Sequence, residues 1–237
     1  SLFPGRTVCE STQLPTNLRN GLIGYWPFCG NLQDQSGSLN HGQLNGPVYT
    51  LDRFGTSNNA LLFDNTSDVF CTTTNYNAPV QFSYSVWFKS SSTQSGAIVV
   101  FDDGQCVHNF NWDRSLESTI SSLAFRTFPG QAINNTTNTG FQDGNWHHCV
   151  VTFGSSGSKI YIDGVLRSSN NAQTSAQAFA GWWRLGGLNN NYNALLGSYD
   201  DFALWNRILS AAEVSQLYNS APTVTWSPGG ATTNSIT

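Results

Sequence analysis

A regular alternation of apolar and polar side chains runs through Phe82-Ser83-Tyr84-Ser85-Val86-Trp87-Phe88. Successive side chains of a β-strand point to opposite faces, so this two-residue period places Phe82, Tyr84, Val86 and Phe88 on one face. The stretch therefore predicts a β-strand with one face in a hydrophobic core.

Comparable strand signals recur farther along the chain. Residues 146–153 are apolar on both faces, as expected of a strand in the middle of two packed layers. Residues 159–162 and 165–166 flank Asp163-Gly164, a dipeptide that suits the type I′ turn of a β-hairpin. Residues 199–205 form a further predicted strand. Short strands separated by turn residues are typical of an antiparallel β-sandwich.

One helix is predicted after the last of these strands. Ser210 and Glu213 have the spacing of a capping box, in which both side chains accept hydrogen bonds from free backbone N–H groups at the helix start. Val214, Leu217 and Tyr218 follow at helical spacing and give the helix one apolar side. The sequence therefore predicts an all-β fold with one short C-terminal helix docked on the sandwich.

The composition excludes several classes of partner. Charged residues make up 10% of the 237 residues, the net charge is −4, and Lys and Arg form no cluster. A nucleic-acid partner is not expected, because such proteins carry a basic surface that replaces phosphate counterions. Membrane insertion is not expected either, since no apolar stretch approaches the roughly 18 residues that span a bilayer.

Five cysteines lie far apart, at positions 9, 29, 71, 106 and 149. Zinc sites usually need closely spaced pairs, so one or two disulfides in an oxidising compartment are the better interpretation. The sequence leaves their connectivity open, with a Cys9–Cys29 bond as one pairing that would hold the N-terminal arm. We expect a secreted or cell-surface protein.

The chain is predicted to contain one domain between two connecting segments. Residues 1–20 are rich in turn formers and lack periodicity, so we interpret them as an arm or linker. Residues 21–219 form the predicted sandwich domain, and residues 220–237 form a linker with the start of a following β-repeat. Further domains of the same chain are therefore expected as its partners.

Several motifs of the predicted domain, in their order along the chain, resemble those of bacterial laminin-G-like, concanavalin A-like domains. The motifs are Gly24-Tyr25-Trp26-Pro27-Phe28, Gly30-Asn31 with Asp34, Ser36-Gly37 and Asn40-His41-Gly42, Asp52-Arg53-Phe54-Gly55, Leu62-Phe63-Asp64, Gly144-Asn145-Trp146-His147-His148, Tyr161-Ile162-Asp163-Gly164 and Tyr199-Asp200-Asp201-Phe202-Ala203-Leu204-Trp205. The resemblance covers residues 21–218 and implies a two-sheet antiparallel jelly-roll β-sandwich. Domains of this family bind carbohydrates, act in adhesins or serve as spacers, so the resemblance alone does not assign a function.

The resemblance also implies a structural calcium ion shared by Asp34 and Asp200, with Gly37 and Asn40 as further candidate ligands. Calcium takes about six to eight oxygen ligands, many of them backbone carbonyls. Asp200 would share a strand face with Phe202, where an inward carboxylate is costly unless a cation neutralises it. The alternative is that both carboxylates bind only the amides of their own turns.

Carbohydrate binding is the second predicted property. Sugar rings stack on exposed aromatic side chains, while amide and carboxylate groups bind the sugar hydroxyls. The candidates for these contacts are Trp112, Trp182, Trp183, Tyr192, Asn189 and Asn191. Trp182 and Trp183 are adjacent and would point to opposite faces of a strand, so one of them is expected in the core.

Catalysis is not expected. Glycosidases need two carboxylates about 5–9 Å apart, and laminarinase-type enzymes of this fold carry Glu-x-Asp-x-x-Glu on one strand. The chain has three glutamates, Glu10, Glu117 and Glu213, and lacks such a triplet. The adjacent Asp102 and Asp103 would face apart on a strand and would be solvated in a turn, so neither case makes them a catalytic pair.

The predicted function is a non-catalytic carbohydrate-binding or adhesion module, with a polysaccharide or a cell-surface glycan as its partner. The alternatives are a structural spacer or protein-interaction module, and a domain of a polysaccharide-degrading enzyme. Solvent exposure of Trp112, Trp182, Trp183 and Tyr192 separates the carbohydrate-binding hypothesis from the spacer hypothesis, because a spacer would bury its aromatic side chains.

Overall fold

The computed structural model describes residues 14–106, 111–119, 122–129, 132–136, 140–187 and 193–220. The strands in this part of the chain are β1 (Leu22–Trp26), β2 (Gly42–Asn45), β3 (Val48–Thr50), β4 (Ala60–Phe63), β5 (Val69–Thr72), β6 (Tyr76–Asn77), β7 (Phe82–Lys89), β8 (Gly96–Asp102), β9 (Trp112–Thr119), β10 (Ser122–Thr127), β11 (Ala132–Asn135), β12 (Trp146–Gly154), β13 (Gly157–Ile162), β14 (Val165–Asn170), β15 (Ala180–Gly186) and β16 (Gly197–Trp205). A 3-10 helix (Thr16–Arg19) precedes β1, and helix α1 (Ala211–Asn219) follows β16.

Within the described residues the strands form two eight-stranded antiparallel sheets. The first sheet has the order β14-β13-β12-β7-β16-β4-β3, and β1 also pairs with β16. The second has the order β11-β10-β9-β8-β15-β5-β2, and β6 also pairs with β15. Many neighbouring strands are distant in the sequence, so the chain crosses repeatedly between the sheets. The predicted two-sheet jelly-roll sandwich with one short C-terminal helix is confirmed.

The core lies between the two sheets and is rich in aromatic rings. Phe82, Tyr84, Val86 and Phe88 of β7 are all buried there, as their alternation predicts. Trp183 of β15 meets them from the second sheet, with its ring edge-on to Phe82 at 5.0 Å and to Tyr84 at 5.5 Å between centroids. Ring pairs of this geometry each add about 0.5–1.5 kcal/mol of stability to the burial of their surface.

The outer face of the first sheet is covered by α1 and by the 3-10 helix. Leu217 of α1 and Leu18 of the 3-10 helix are buried against Trp205 of β16. The indole N–H of Trp205 donates a hydrogen bond to the carbonyl of Leu18 at 2.7 Å. The predicted capping box of Ser210 and Glu213 is present at the start of α1, so a local signal places the helix correctly.

Part of the segment predicted as an arm belongs to the domain. Leu18 is fully buried, and the guanidinium of Arg207 donates hydrogen bonds to the carbonyls of Asn17 and Asn20. These contacts attach residues 17–20 to the sandwich. Residues 1–13 and 221–237, which include the predicted following β-repeat, lie outside the described residues.

The predicted hairpin of β13 and β14 is confirmed. Its turn residues Asp163 and Gly164 have φ values of +53° and +75°, and positive φ at both central residues defines the type I′ turn. The carboxylate of Asp163 also accepts the backbone N–H of His148 at 2.9 Å. This bond fastens the hairpin to β12.

The cysteines follow the prediction of disulfides in part. Cys71 of β5 is bonded to Cys106, which lies after β8. Cys29 is disulfide-bonded as well, whereas Cys9, its predicted partner, lies outside the described residues. Cys149 is buried and free.

In the described ranges, no helix has the length and apolar character needed to cross a membrane.

Candidate functional site

Three side chains form a row across the outer face of the second sheet. Trp182 of β15 pairs with Asp102 of β8, and Asp102 pairs on its other side with Trp112 of β9. Residues directly opposite one another in neighbouring strands share a face of the sheet and lie about 5 Å apart. A carboxylate is therefore flanked by two indole rings.

Both indole rings of this row are partly exposed to solvent. Trp112 packs on Ala97 and Val100 and meets the ring of Phe128 edge-on, with 5.1 Å between centroids. The indole N–H of Trp182 has no hydrogen-bond partner among the described residues. A buried N–H left unpaired costs about 1–3 kcal/mol.

Asp102 is held in the row by a buried ion pair. Its Oδ2 lies 2.8 Å from Nε of Arg184, which follows Trp182 by two residues on β15. Its Oδ1 accepts the backbone N–H of Gly104 at 2.9 Å. Burial raises the pKa of Asp102 to about 7, although the charge of Arg184 opposes this rise. Burial and the ion pair thus act in opposite directions on the protonation of this carboxylate.

Arg184 also joins two loops beside the row. Its guanidinium donates hydrogen bonds to the carbonyl of Gln105 and, at 3.2 Å, to the carbonyl of Gly187. The first of these loops is fastened to β5 by the Cys71–Cys106 disulfide. Gln105 lies in the loop between β8 and β9, which leads to Trp112. Gly187 lies in the loop between β15 and β16, which contains the candidates Asn189, Asn191 and Tyr192. Arg184 therefore contacts both loops.

The structure brings together two of the residues predicted to bind sugar, Trp112 and Trp182. The prediction for Trp183 is wrong, because the alternation of β15 turns this ring into the core, where it is 1% exposed. The remaining candidates lie outside the described residues; they are Asn189, Asn191 and Tyr192. The exposure of Trp112 and Trp182 keeps the carbohydrate hypothesis in place.

Sequence reasoning missed the charged members of this site. Of the two alternatives for Asp102, strand or turn, the structure has the strand, because Asp102 is the last residue of β8 and is fully buried. Arg184 is 1% exposed. The available signal was the apolar run of β8, which continues directly into Asp102 and makes it a strand residue.

A second ion pair lies farther along the same face. Glu117 of β9, opposite Ala97 of β8, binds Nε of Arg126 at 2.9 Å and the hydroxyl of Ser115 at 2.7 Å. Ala97 and Asp102 are five positions apart on β8, which at about 3.3 Å per residue puts the carboxylates of Glu117 and Asp102 on the order of 15 Å apart. That distance exceeds the roughly 5–9.5 Å of a glycosidase pair.

The residues predicted to bind calcium belong to two separate groups. In the first, Oδ1 of Asp34 accepts the backbone N–H groups of Tyr25 at 2.9 Å and Ser36 at 2.8 Å. Its Oδ2 accepts the hydroxyl of Ser36 at 2.8 Å and the backbone N–H of Asn40 at 3.0 Å. Asn40 is buried and Gly37 is exposed. Asp34 thus closes the loop between β1 and β2 through hydrogen bonds.

In the second group, Asp200 lies on the outer face of the first sheet and not on the core face with Phe202, which corrects the prediction. Asp200 pairs with Trp87 of β7, and the register shifts directly after it because Asp201, at φ +46°, forms a β-bulge. Oδ2 of Asp200 lies 2.6 Å from Nη1 of Arg53. Burial raises the pKa of Asp200 well above its ordinary value, with a further rise from Asp201 and an opposing effect of Arg53.

These contacts do not fit a calcium ion shared by Asp34 and Asp200. Both oxygens of Asp34 already accept hydrogen bonds, and an arginine supplies the positive charge beside Asp200. Across the described part of the chain, no group of three or more His, Cys, Asp or Glu side chains could hold a metal ion. Calcium stays a prediction from the resemblance.

The fold agrees with that of a known superfamily. The family model Laminin_G_3, described as the concanavalin A-like lectin/glucanases superfamily, matches residues 63–215. The chain therefore belongs to this superfamily, as the sequence motifs imply.

One curated relative is Sushi, von Willebrand factor type A, EGF and pentraxin domain-containing protein 1 of Rattus norvegicus. It is 32% identical over 91 residues, which cover 34% of this chain and 3% of that protein. The chain thus spans a small fraction of this relative.

Solved structures with the same fold include binding domains and an enzyme. The binding domain of Paraclostridial Mosquitocidal Protein 1 matches with a TM-score of 0.66 and 16% identity, over 86% of this chain and 53% of that chain. Domain 4 of AbnA, a GH43 extracellular arabinanase from Geobacillus stearothermophilus in complex with arabinotriose, matches with a TM-score of 0.58 and 15% identity, over 84% and 98%. Trypanosoma rangeli sialidase in complex with the inhibitor DANA matches with a TM-score of 0.63 and 12% identity, over 86% and 33%. At these identities the likeness shows the fold alone.

Proposed function

We propose that this domain is a non-catalytic module that binds a polysaccharide or a cell-surface glycan outside the cell. The observation that carries the proposal is the row of Trp182, Asp102 and Trp112 on the outer face of the second sheet. Two partly exposed indole rings provide flat apolar surfaces for sugar rings. Asp102, buried between them in its ion pair with Arg184, joins β8 to β15 at this point of the face.

Two further observations support a glycan partner outside the cell. Domain 4 of AbnA, which is solved with arabinotriose, matches this chain over 98% of its length. The Cys71–Cys106 disulfide fits an oxidising compartment, where such bonds persist. A role in adhesion would follow if the bound glycan belongs to a cell surface.

Hydrolysis is the second candidate function, which the arabinanase and sialidase neighbours favour. The pKa of Asp102, raised to about 7 by burial, would suit a general acid. Binding is preferred because Asp102 is fully buried and Glu117, a second described carboxylate on this face, lies on the order of 15 Å away. The sialidase is matched over a third of its chain, so its likeness does not extend to the rest of that enzyme.

The decisive experiment compares glycan binding by the wild type and by two single variants. Arabinan, β-glucan, α-glucan and a sialylated mucin are screened by affinity gel electrophoresis, and the strongest ligand is measured by calorimetry. We expect Trp112→Ala and Trp182→Ala each to weaken binding about tenfold or more, as for aromatic residues at the centre of an interface. Trp146→Ala is the matched control, because Trp146 is a partly exposed tryptophan on the first sheet.

The outcomes separate the three hypotheses. Binding that both site variants lose and Trp146→Ala keeps supports the proposal. Binding that all three variants keep places the glycan elsewhere and contradicts it. The absence of binding by folded wild type favours the spacer. Release of reducing ends from a bound polysaccharide, abolished by Asp102→Asn, would establish hydrolysis.

A further inference from the structure

The bulge in β16 brings two consecutive carboxylates to one cation. In a regular strand Asp200 and Asp201 would point to opposite faces of the sheet. Because the bulge shifts the register between them and Ala203, Oδ2 of Asp200 and Oδ2 of Asp201 lie 2.6 Å and 2.5 Å from the same nitrogen, Nη1 of Arg53.

Each of the four carboxylate oxygens of Asp200 and Asp201 is paired with a hydrogen-bond donor. Oδ1 of Asp200 accepts the backbone N–H of Asp201 at 2.8 Å. Oδ1 of Asp201 accepts the hydroxyl of Tyr25 at 2.8 Å. The two Oδ2 atoms are those paired with Arg53. A metal ion at these oxygens would have to share them with the donors already present, and the positive charge of Arg53 would repel it.

The guanidinium is enclosed on its other sides as well. Its Cζ lies 4.7 Å from the ring centroid of Trp87 and 4.4 Å from that of Phe54. The side chains of Arg53, Asp200 and Asp201 are 8%, 4% and 14% exposed. An arginine enclosed by two carboxylates and two aromatic faces has the contacts that its delocalised cation prefers.

The loop between β3 and β4 is built to present this arginine. Oδ1 of Asp52 accepts the backbone N–H groups of Phe54 and Thr56, each at 2.8 Å. Gly55 has a φ of +81°, in the left-handed region that glycine adopts without strain. The turn is therefore fixed on both sides of Arg53 before its side chain reaches β16.

We propose that Arg53 is a built-in counter-cation that takes the place of a metal ion beside Asp200 and Asp201. It joins the β3–β4 loop to β16 and makes the folded domain independent of calcium. The inference goes beyond glycan binding and does not rest on it, because the cluster lies on the first sheet and the tryptophan row on the second.

The test begins with wild-type protein, so it does not depend on the folding of a variant. After gel filtration in calcium, elemental analysis should find no stoichiometric bound calcium, and excess chelator should leave Tm unchanged. Stoichiometric calcium or a lower Tm in chelator would overturn the proposal.

Two variants then test the position of the cation. Arg53→Gln leaves two buried carboxylates without a cation and should lower Tm by about 6–20 °C, and millimolar calcium should restore part of this loss. Arg53→Lys keeps a positive charge, so its Tm should not respond to calcium. If Arg53→Gln does not fold, its recovery as folded protein in calcium becomes the readout. An Arg53→Gln protein that calcium neither stabilises nor helps to fold would contradict the assigned role.

Discussion

His148 should make the domain sensitive to mild acid, and the effect can be isolated with one substitution. Nε2 of His148 is hydrogen-bonded to the hydroxyl of Ser85 at 2.7 Å, while Nδ1 has no partner among the described residues. The ring lies 5.0 Å from that of Trp87 and 6.2 Å from that of Tyr218. Burial lowers the pKa of His148 to about 3, with a smaller contribution from the charge of Arg53.

The magnitude follows from linkage between protonation and folding. The imidazole has an ordinary pKa near 6.5 in the unfolded chain and about 3 in the folded domain, so the unfolded state binds the proton first as the pH falls. At pH 8 the protonation of His148 does not lower the free energy of unfolding. Below about pH 6.5 it lowers this free energy progressively. At pH 5 the cost is about 2 kcal/mol, and below pH 3 it approaches about 5 kcal/mol.

The assay is urea unfolding followed by tryptophan fluorescence at several pH values between 8 and 5. His148→Phe keeps a flat ring of similar size and removes the titrating group. Relative to this variant, the wild type should lose about 2 kcal/mol of unfolding free energy between pH 8 and pH 5. Since all other titrating groups are shared, parallel stability curves for the two proteins would refute the reasoning.

The neighbouring His147 provides a control of opposite sign. Its ring nitrogens lie 2.9 Å from Oδ2 of Asp163 and 3.2 Å from Oδ1 of Asp143. The hydrogen bond with Asp163, with further contributions from the charges of Asp163 and Asp143, raises the pKa of His147 above its ordinary value, although burial opposes the rise. Its stabilising contribution is therefore present below pH 6.5 and is lost as the pH rises through the folded-state pKa. His147→Asn should lose more stability at pH 5 than at pH 8.

Three further predictions concern stability, each measured by urea unfolding at pH 7.5. Replacing both Cys71 and Cys106 by alanine opens a loop with a sequence separation of 35 residues and should cost about 3–4 kcal/mol; an unchanged midpoint would contradict a bonded pair in the folded protein. Ser210→Ala removes the helix cap and should cost about 1 kcal/mol, whereas no loss would mean that α1 is held by packing alone. Trp183→Ala should cost about 3–5 kcal/mol because it empties part of the core, and the same change at Trp182 should cost much less; equal losses would contradict their assignment to opposite faces.

Much of the fold could be predicted because its signals are local. The alternation from Phe82 to Phe88 specifies a half-buried strand, and each of the four apolar residues that it places on one face is in the core. The positive φ values at Asp163 and Gly164, like the cap at Ser210, depend on residues that are neighbours in the chain. Such features need no knowledge of which strands pair.

The candidate site could be predicted only in part, because it depends on pairing between distant segments. Trp112 and Trp182 could be proposed as ligand-binding residues from their type and surroundings. That they flank one carboxylate follows from the pairing of β15 with β8, which joins Trp182 to Asp102 across about 80 residues of sequence. No local pattern near Asp102 specifies either its neighbours or its ion pair with Arg184.

The error at Asp200 shows how one residue can reverse a prediction based on alternation. The side-chain period of a strand is two, so one extra residue exchanges the faces of everything before it relative to everything after it. Asp201 is that extra residue, and aspartate is among the side chains that tolerate a left-handed backbone. Counting back from Phe202 in the core therefore assigns Asp200 to the wrong face. The same bulge explains why Asp200 can be buried without a metal, because it is the bulge that lets Asp200 and Asp201 contact a single arginine.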